Sequence, residues 1–185
     1  MSTATDVQVT TGDYTIDASH SRVGFIARHA MVTKVRGQFA DFAGTAHIDV
    51  EDPTKSAAQV TLKVASIETG NGQRDEHLRT NDFFDAPTFP EITFTSTKVE
   101  ATGPGEVRMT GDLTIKGTTK PVVIDWEATG TAVDPYNNVR AGFEGKAVIN
   151  RSDFGVTWNA ALEAGGVLVS EKITLEFDIS AIKNA

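Results

Sequence analysis

The chain has 185 residues, with 17 Lys and Arg against 25 Asp and Glu, and its formal net charge of -8 repels phosphate backbones and anionic headgroups over most of the surface. Nucleic acid is not an expected partner, and no run approaches the roughly 20 consecutive apolar residues of a membrane-spanning helix. The absence of cysteine excludes disulfides, thiolate nucleophiles and Cys-ligated metal.

Residues 1–12 read as a flexible leading segment before a single domain over 13–185. The first fourteen residues contain no Lys or Arg and no apolar run, so they lack the features of a secretory signal, and a cytoplasmic location is expected. From there apolar and polar residues alternate over long stretches, the period of a strand with one dry face. Strands are predicted over Ser21 to His29 and Val35 to Val50, and around Val60, Leu62 and Val64.

Between Gly70 and Phe84 the pattern changes: Asn71 can cap a short helix over Gln73 to Thr80, with Asp75 and Glu76 in its favourable first turn. Alternation resumes over Ile92 to Ala101, turns at Gly103-Pro104-Gly105, and returns with Val107, Met109, Gly111, Leu113 and Ile115 on one face. Val122, Ile124, Trp126 and Ala128 follow, with Pro121 expected at the strand start, where a missing N–H does least harm. After the turn at Asp134 to Asn138 come a strand over Ala141 to Asn150, a brief helical run over Thr157 to Gly166, and a last strand that turns Ile173, Leu175, Phe177 and Ile179 inward.

About eight or nine strands joined by hairpins suggest a sandwich or an up-and-down barrel. The barrel is favoured because closure removes the edges that such long strands would expose. The expected fold is thus all-β, an antiparallel barrel of about eight strands with one or two short helices, wide enough for one slender ligand.

Chemistry-bearing constellations are weak. None of His20, His29, His47 and His77 lies three to five residues from another, as a helical zinc pair would, so no metal site is expected. Ser152-Asp153 beside Arg151 has no nucleophile-elbow pattern. His29 ends the alternation through Val23, Phe25 and Ala27, which makes it either a head-group donor at the barrel mouth or a satisfied wall histidine. Arg74, Asp75 and His77 form either a charged cluster or a cap with a solvated face. Leu78, Phe83 and Phe84 form either a plug for the open end or ordinary core.

Several segments in order resemble the YceI-like family of polyisoprenoid-binding proteins: Tyr14-Thr15-Ile16-Asp17 with His20-Ser21, Gly37-Gln38-Phe39 with Phe42 and Gly44, and Arg74 to Leu78. The match continues through Asp82-Phe83-Phe84-Asp85, Pro90 to Phe94, Gly111 to Gly117 with Lys120-Pro121-Val122, and Arg151-Ser152-Asp153-Phe154-Gly155. The resemblance implies an extended lipocalin-like β-barrel with an apolar tunnel for the isoprenoid tail of a polyprenyl compound or quinone, no required cofactor, no established catalytic residues, and commonly a homodimer.

The candidate ligand-contacting residues are Val23, Phe25, Phe39, Phe94, Met109, Leu113, Trp126, Phe143, Phe154 and Trp158, the plug residues Leu78, Phe83 and Phe84, and His29 and Arg74 for a polar head. The leading expectation is a non-enzymatic carrier or store. The alternatives are an enzyme on a similar lipid, with His29 or His77 and Asp75 as acid and base, and a solidly packed scaffold for protein partners.

Overall fold

Strands with one dry face must pair on both edges to satisfy their backbones, and this chain does so by closing its sheet into a ring. The structure, a computed structural model, describes residues 8–162 and 166–185. Its strands are β1 Gly12–Ile16, β2 Arg22–His29, β3 Thr33–Phe39, β4 Phe42–Ile48, β5 Ala57–Lys63, β6 Ile67–Glu68, β7 Glu91–Gly103, β8 Glu106–Ile115, β9 Thr118–Val133, β10 Val139–Asn150 and β11 Lys172–Lys183. One α-helix, α1 Gly72–Arg79, lies between β6 and β7. All ladders are antiparallel, and the order β1-β4-β5-β7-β8-β9-β10-β11 closes through a β1–β11 pairing into an eight-stranded barrel.

The remaining three segments continue existing strands. β2 extends β1 along β11, where Ile16 opposes Ala181 and Phe25 opposes Leu175. β3 precedes β4 beside β2, and β6 follows β5 beside β3. The molecule is an up-and-down meander whose first three strands are each broken once.

Those breaks lie side by side, at Ala18–His20, Ala40-Asp41 and Val64–Ser66. Asp17 N donates to Ser180 O of β11 (2.9 Å) at the first, and bonds from Ala40 N to Ser66 O (3.2 Å) and Lys63 N to Asp41 O (2.9 Å) join the second to the third. Each shifts the inward parity by one residue, from Ile16 to Val23, Phe39 to Phe42 and Leu62 to Ile67. One continuous strand over Val35 to Val50 is therefore corrected to two, because an unbroken strand would turn either Phe39 or Phe42 to solvent, and both are buried. Val64 is buried in the 3-10 turn rather than in a strand.

Two other expectations change. Pro121 lies inside β9 opposite Asp112, tolerated where β10 does not reach, since β9 and β10 pair only from Asp125 onward. The described part of Thr157 to Gly166 is not helical: the Asn159 side chain bonds both Val169 N and Val169 O (3.0 and 2.8 Å), and Ala161 bridges Val167, folding the segment back on itself. Residues 163–165 lie outside the described residues, as do 1–7 of the leading segment. From Val9 onward that segment packs beside Tyr14, whose hydroxyl donates to Thr10 O at 2.7 Å.

The β9–β10 hairpin is fastened to the end of β1 by one cation between two carboxylates. Arg140 donates to Asp17 Oδ2 and Asp134 Oδ2, each at 2.7 Å. Arg140, with help from Ser19 and His20, holds Asp17 far below its ordinary 3.8. The Asn138 amide, followed by Arg140, draws Asp134 down to about 2 against the opposing effect of burial. Carboxylates with depressed folded pKa values contribute stability that is complete above 3.8 and lost as pH falls through the folded values. Arg140→Met is thus expected to lower the denaturation midpoint at neutral pH and to flatten its fall between 3.8 and about 2, read by urea unfolding at several pH values.

Candidate functional site

Inward side chains from every long strand surround a cavity of about 930 Å³. That is near the top of the roughly 300–1,000 Å³ usual for small-molecule sites. A solidly packed interior is thereby corrected: this barrel is hollow.

Its two ends differ. At the α1 end, Leu78, Phe83, Phe84, Phe154 and Val156 line the cavity and join the main apolar cluster with Phe39, Ile67 and Ile115, so none is exposed. Asn71 Oδ1 caps α1 by accepting from Arg74 N (3.1 Å), and Arg79 secures the helix to Ala65 O and Ile67 O. At the opposite end the lining reaches exposed residues, among them His47, Val50, Pro104, Glu106 and Gly130. The mouth lies there, between the β4–β5 connection and the β7–β8 hairpin.

A wall this rich in aromatics stays hollow because its large rings lie flat over glycines. A Cβ on Gly37 would sit 2.2 Å from the Phe25 ring, one on Gly111 2.3 Å from Phe94, and one on Gly145 2.6 Å from Trp126. Phe25 and Trp126 lie directly across the ladder from Gly37 and Gly145. Each glycine provides the recess that its neighbour's ring occupies, the cross-strand device by which aromatics cover bare backbone. The space that Gly111 leaves on the face of Met109 is thus taken by Phe94.

Twelve of the expected contact residues line the cavity: Val23, Phe25, Phe39, Leu78, Phe83, Phe84, Phe94, Met109, Leu113, Trp126, Phe143 and Phe154. Three do not. Trp158 lies outside the lining, edge-on to His77 at 4.7 Å and tilted against Phe83 at 5.3 Å between ring centroids. His29 is exposed at the closed end, bridged to Val169, so it stands far along the barrel from the mouth where a head-group role placed it. Arg74 turns away from the cavity because Thr69 takes its guanidinium, at Oγ1 and at the carbonyl oxygen, each at 2.7 Å.

The acid/base set likewise does not assemble. Asp75 accepts from Thr69 N (3.0 Å) and Thr69 Oγ1 (2.5 Å), whereas His77 Nε2 pairs with Asp82 Oδ2 at 2.8 Å. Among the described residues no three His, Cys, Asp or Glu side chains gather as a metal site.

Two polar groups lie inside, one of them on a residue that was not among the expected contacts. Arg151 is only 6% exposed and lines the closed end. Trp126 lines the middle, stacked on Phe177 at 5.4 Å, with its buried Nε1 unpartnered among the described residues. In sequence Arg151 follows the strand over Ala141 to Asn150 and stands between Asn150 and Ser152-Asp153, a polar setting that gives no local signal of burial.

Because Trp126 faces the cavity and Trp158 does not, a Trp158→Phe variant isolates one interior fluorophore. Its emission is expected to shift or quench on adding an isoprenoid quinone, with the Trp126→Phe counterpart showing little change.

A profile of the YceI-like domain matches residues 14–181. The chain belongs to the YceI-like family. Its relatives include a UPF0312 protein of Pseudomonas savastanoi pv. phaseolicola, 40% identical over 151 residues that make up 80% of this chain and 79% of that protein. The UPF0312 protein of Photorhabdus laumondii is 40% identical over 144 residues, 77% of this chain and 74% of the relative. Among solved structures, Burkholderia cenocepacia BcnA superposes on this YceI-like barrel with a TM-score of 0.78 at 26% identity, covering 89% of this chain and 98% of BcnA. The Campylobacter jejuni YCEI protein gives 0.73 at 33% identity, covering 85% and 90%. A polyisoprenoid-binding domain from Saccharophagus degradans shares the fold at a TM-score of 0.70 and 16% identity, covering 92% and 98%. No helix of the YceI-like chain is long and apolar enough to cross a membrane among the described residues.

Proposed function

We propose that this YceI-like protein binds the tail of a long isoprenoid lipid, a polyprenyl compound or quinone, inside its barrel, and carries or stores it without acting on it chemically. The observation that carries this reading is the apolar cavity of about 930 Å³, closed at one end and open at the other. Binding by such a wall comes from apolar area: at ~0.8 kcal/mol per buried methylene-sized group, each five-carbon isoprene unit contributes up to about 4 kcal/mol. One hydrogen bond to a head group adds about 1–3 kcal/mol, so tail length governs affinity and polar contacts govern orientation.

The reading is supported by membership of a family in which a structural neighbour is a polyisoprenoid-binding domain. It includes no required cofactor and a homodimeric assembly. Mass spectrometry of an organic extract of the purified protein tests it. The expected result is an isoprenoid lipid in near-stoichiometric amount, or its uptake when added. Protein that neither retains nor takes up such a lipid would count against the proposal.

A further inference from the structure

The buried guanidinium of Arg151 has more donors than the described residues supply acceptors for. Nε donates to Ser170 O (3.0 Å), and Nη1 donates to Val156 O (2.8 Å) and Trp158 O (2.9 Å). These account for three of the five N–H groups of an arginine. The two on Nη2 have no acceptor among the described residues, and no carboxylate among them lies within 4.0 Å of the group. Glu171, the nearest acidic influence, has its carboxylate engaged by Ser152 N at 3.0 Å. Burial accordingly pushes the Arg151 pKa down. A guanidinium held by carbonyls alone keeps its full charge unneutralised in an apolar setting, which favours an oxygen anion beside it.

Position makes this a ligand question. β10 and β11 remain paired to Asn150 and Lys172, but β9 and β10 part beyond Asp125 and Lys146. The Arg151–Phe154 turn follows directly, with Phe154 and Val156 buried on the cavity wall beside Arg151. The closed end of the cavity therefore has a cation with spare donors. Further toward the mouth, Trp126 Nε1 is another donor with no partner among the described residues.

We propose that Arg151 is a ligand-binding residue that receives an acceptor oxygen, a carboxylate or phosphate first and a quinone carbonyl second, at the terminus of the apolar chain. The molecule then lies with its oxygen-bearing end against the closed, helix-capped end and its tail toward the mouth. Chains of different length are accommodated because the trailing end meets the opening rather than a wall. This rests on the lipid-binding reading above and adds the orientation and the charge of the occupant.

The test compares farnesoic acid, farnesol and farnesylamine, matched isoprenoids with anionic, neutral and cationic ends, by displacement of an apolar dye from delipidated wild-type protein above neutral pH. Binding of the acid at least about tenfold tighter than the amine is expected, since a charge-assisted contact is worth a factor of ten or more. In Arg151→Gln the three dissociation constants should converge while farnesol binding stays within about twofold. Should that variant fail to fold, Arg151→Lys, which keeps the charge, should retain the order of preference. In ¹⁵N spectra of the wild type the Arg151 Nε–H resonance should move with the acid and much less with farnesol. Equal affinity for acid and amine, or an unmoved Arg151 resonance on acid binding, overturns the inference and leaves lipid binding standing. If even farnesol fails to displace the dye, both readings fall together.

Discussion

Met109→Trp is expected to abolish most isoprenoid retention while leaving the delipidated protein's stability within about 1 kcal/mol of the wild type. Met109 sits mid-strand in β8, opposite Val99 on one side and Ile124 on the other, and its side chain lines the cavity. In a close-packed core the extra ring atoms would force neighbours off their rotamers, at a cost of roughly 1–3 kcal/mol. Here they have the lumen to enter, so the indole takes volume that the lipid needs. A thioether also adapts its shape to an irregular chain, which an indole cannot do. The paired measurements are a urea midpoint on delipidated protein and the lipid retained per protein. A loss of stability with retention intact would show that the interior around Met109 is packed rather than vacant.

Most of the barrel was legible because period-two alternation is a local property of the chain. The dry faces of β8 and β11 are the residues that alternation assigned, from Val107 to Ile115 and from Ile173 to Ile179. The strand breaks were legible in principle too: Phe39 and Phe42 are three residues apart and cannot share a face of one strand, a phase slip visible without coordinates. Treating the interval as one long strand passed over it. β1 and β6 are short, at five and two residues, too short for periodicity to register.

The polar site was less legible, because what isolates a polar group is tertiary. Arg74 precedes an acidic residue on a helix and reads as available for a ligand, yet a threonine five residues upstream takes two of its nitrogens. Arg151 sits in a turn and reads as solvated, yet the parting of β9 from β10 draws it into the wall and leaves backbone carbonyls as its partners. His29 is on the correct strand and even on the expected face of the alternation, but the cavity ends before it does. No local pattern states where a lumen stops, since that depends on which side chains fill the closed end.

Gly145→Ala is expected to reduce lipid capacity severalfold by moving one ring. The new Cβ would lie 2.6–2.8 Å from three Trp126 ring carbons, with no backbone atom among its nearest neighbours, so the indole must leave the wall and swing into the lumen. Gly145 has no left-handed backbone conformation, so alanine itself is tolerated there. Restricting the unfolded chain stabilises by about 0.4–1 kcal/mol. Loss of the Trp126–Phe177 stack costs about 0.5–1.5 kcal/mol. These nearly cancel, so the unfolding midpoint of delipidated protein should hardly move, whereas retained lipid should fall. Gly37→Ala should act in the same direction through Phe25, whose ring atom lies 2.2 Å from the added carbon. Gly72→Ala, at the start of α1 with no atom within 4 Å of the added carbon, serves as the control and should leave retention unchanged. If Gly145→Ala retains lipid as the control does, the Trp126 ring has found room within the wall, and glycine recesses are not what keeps the barrel hollow.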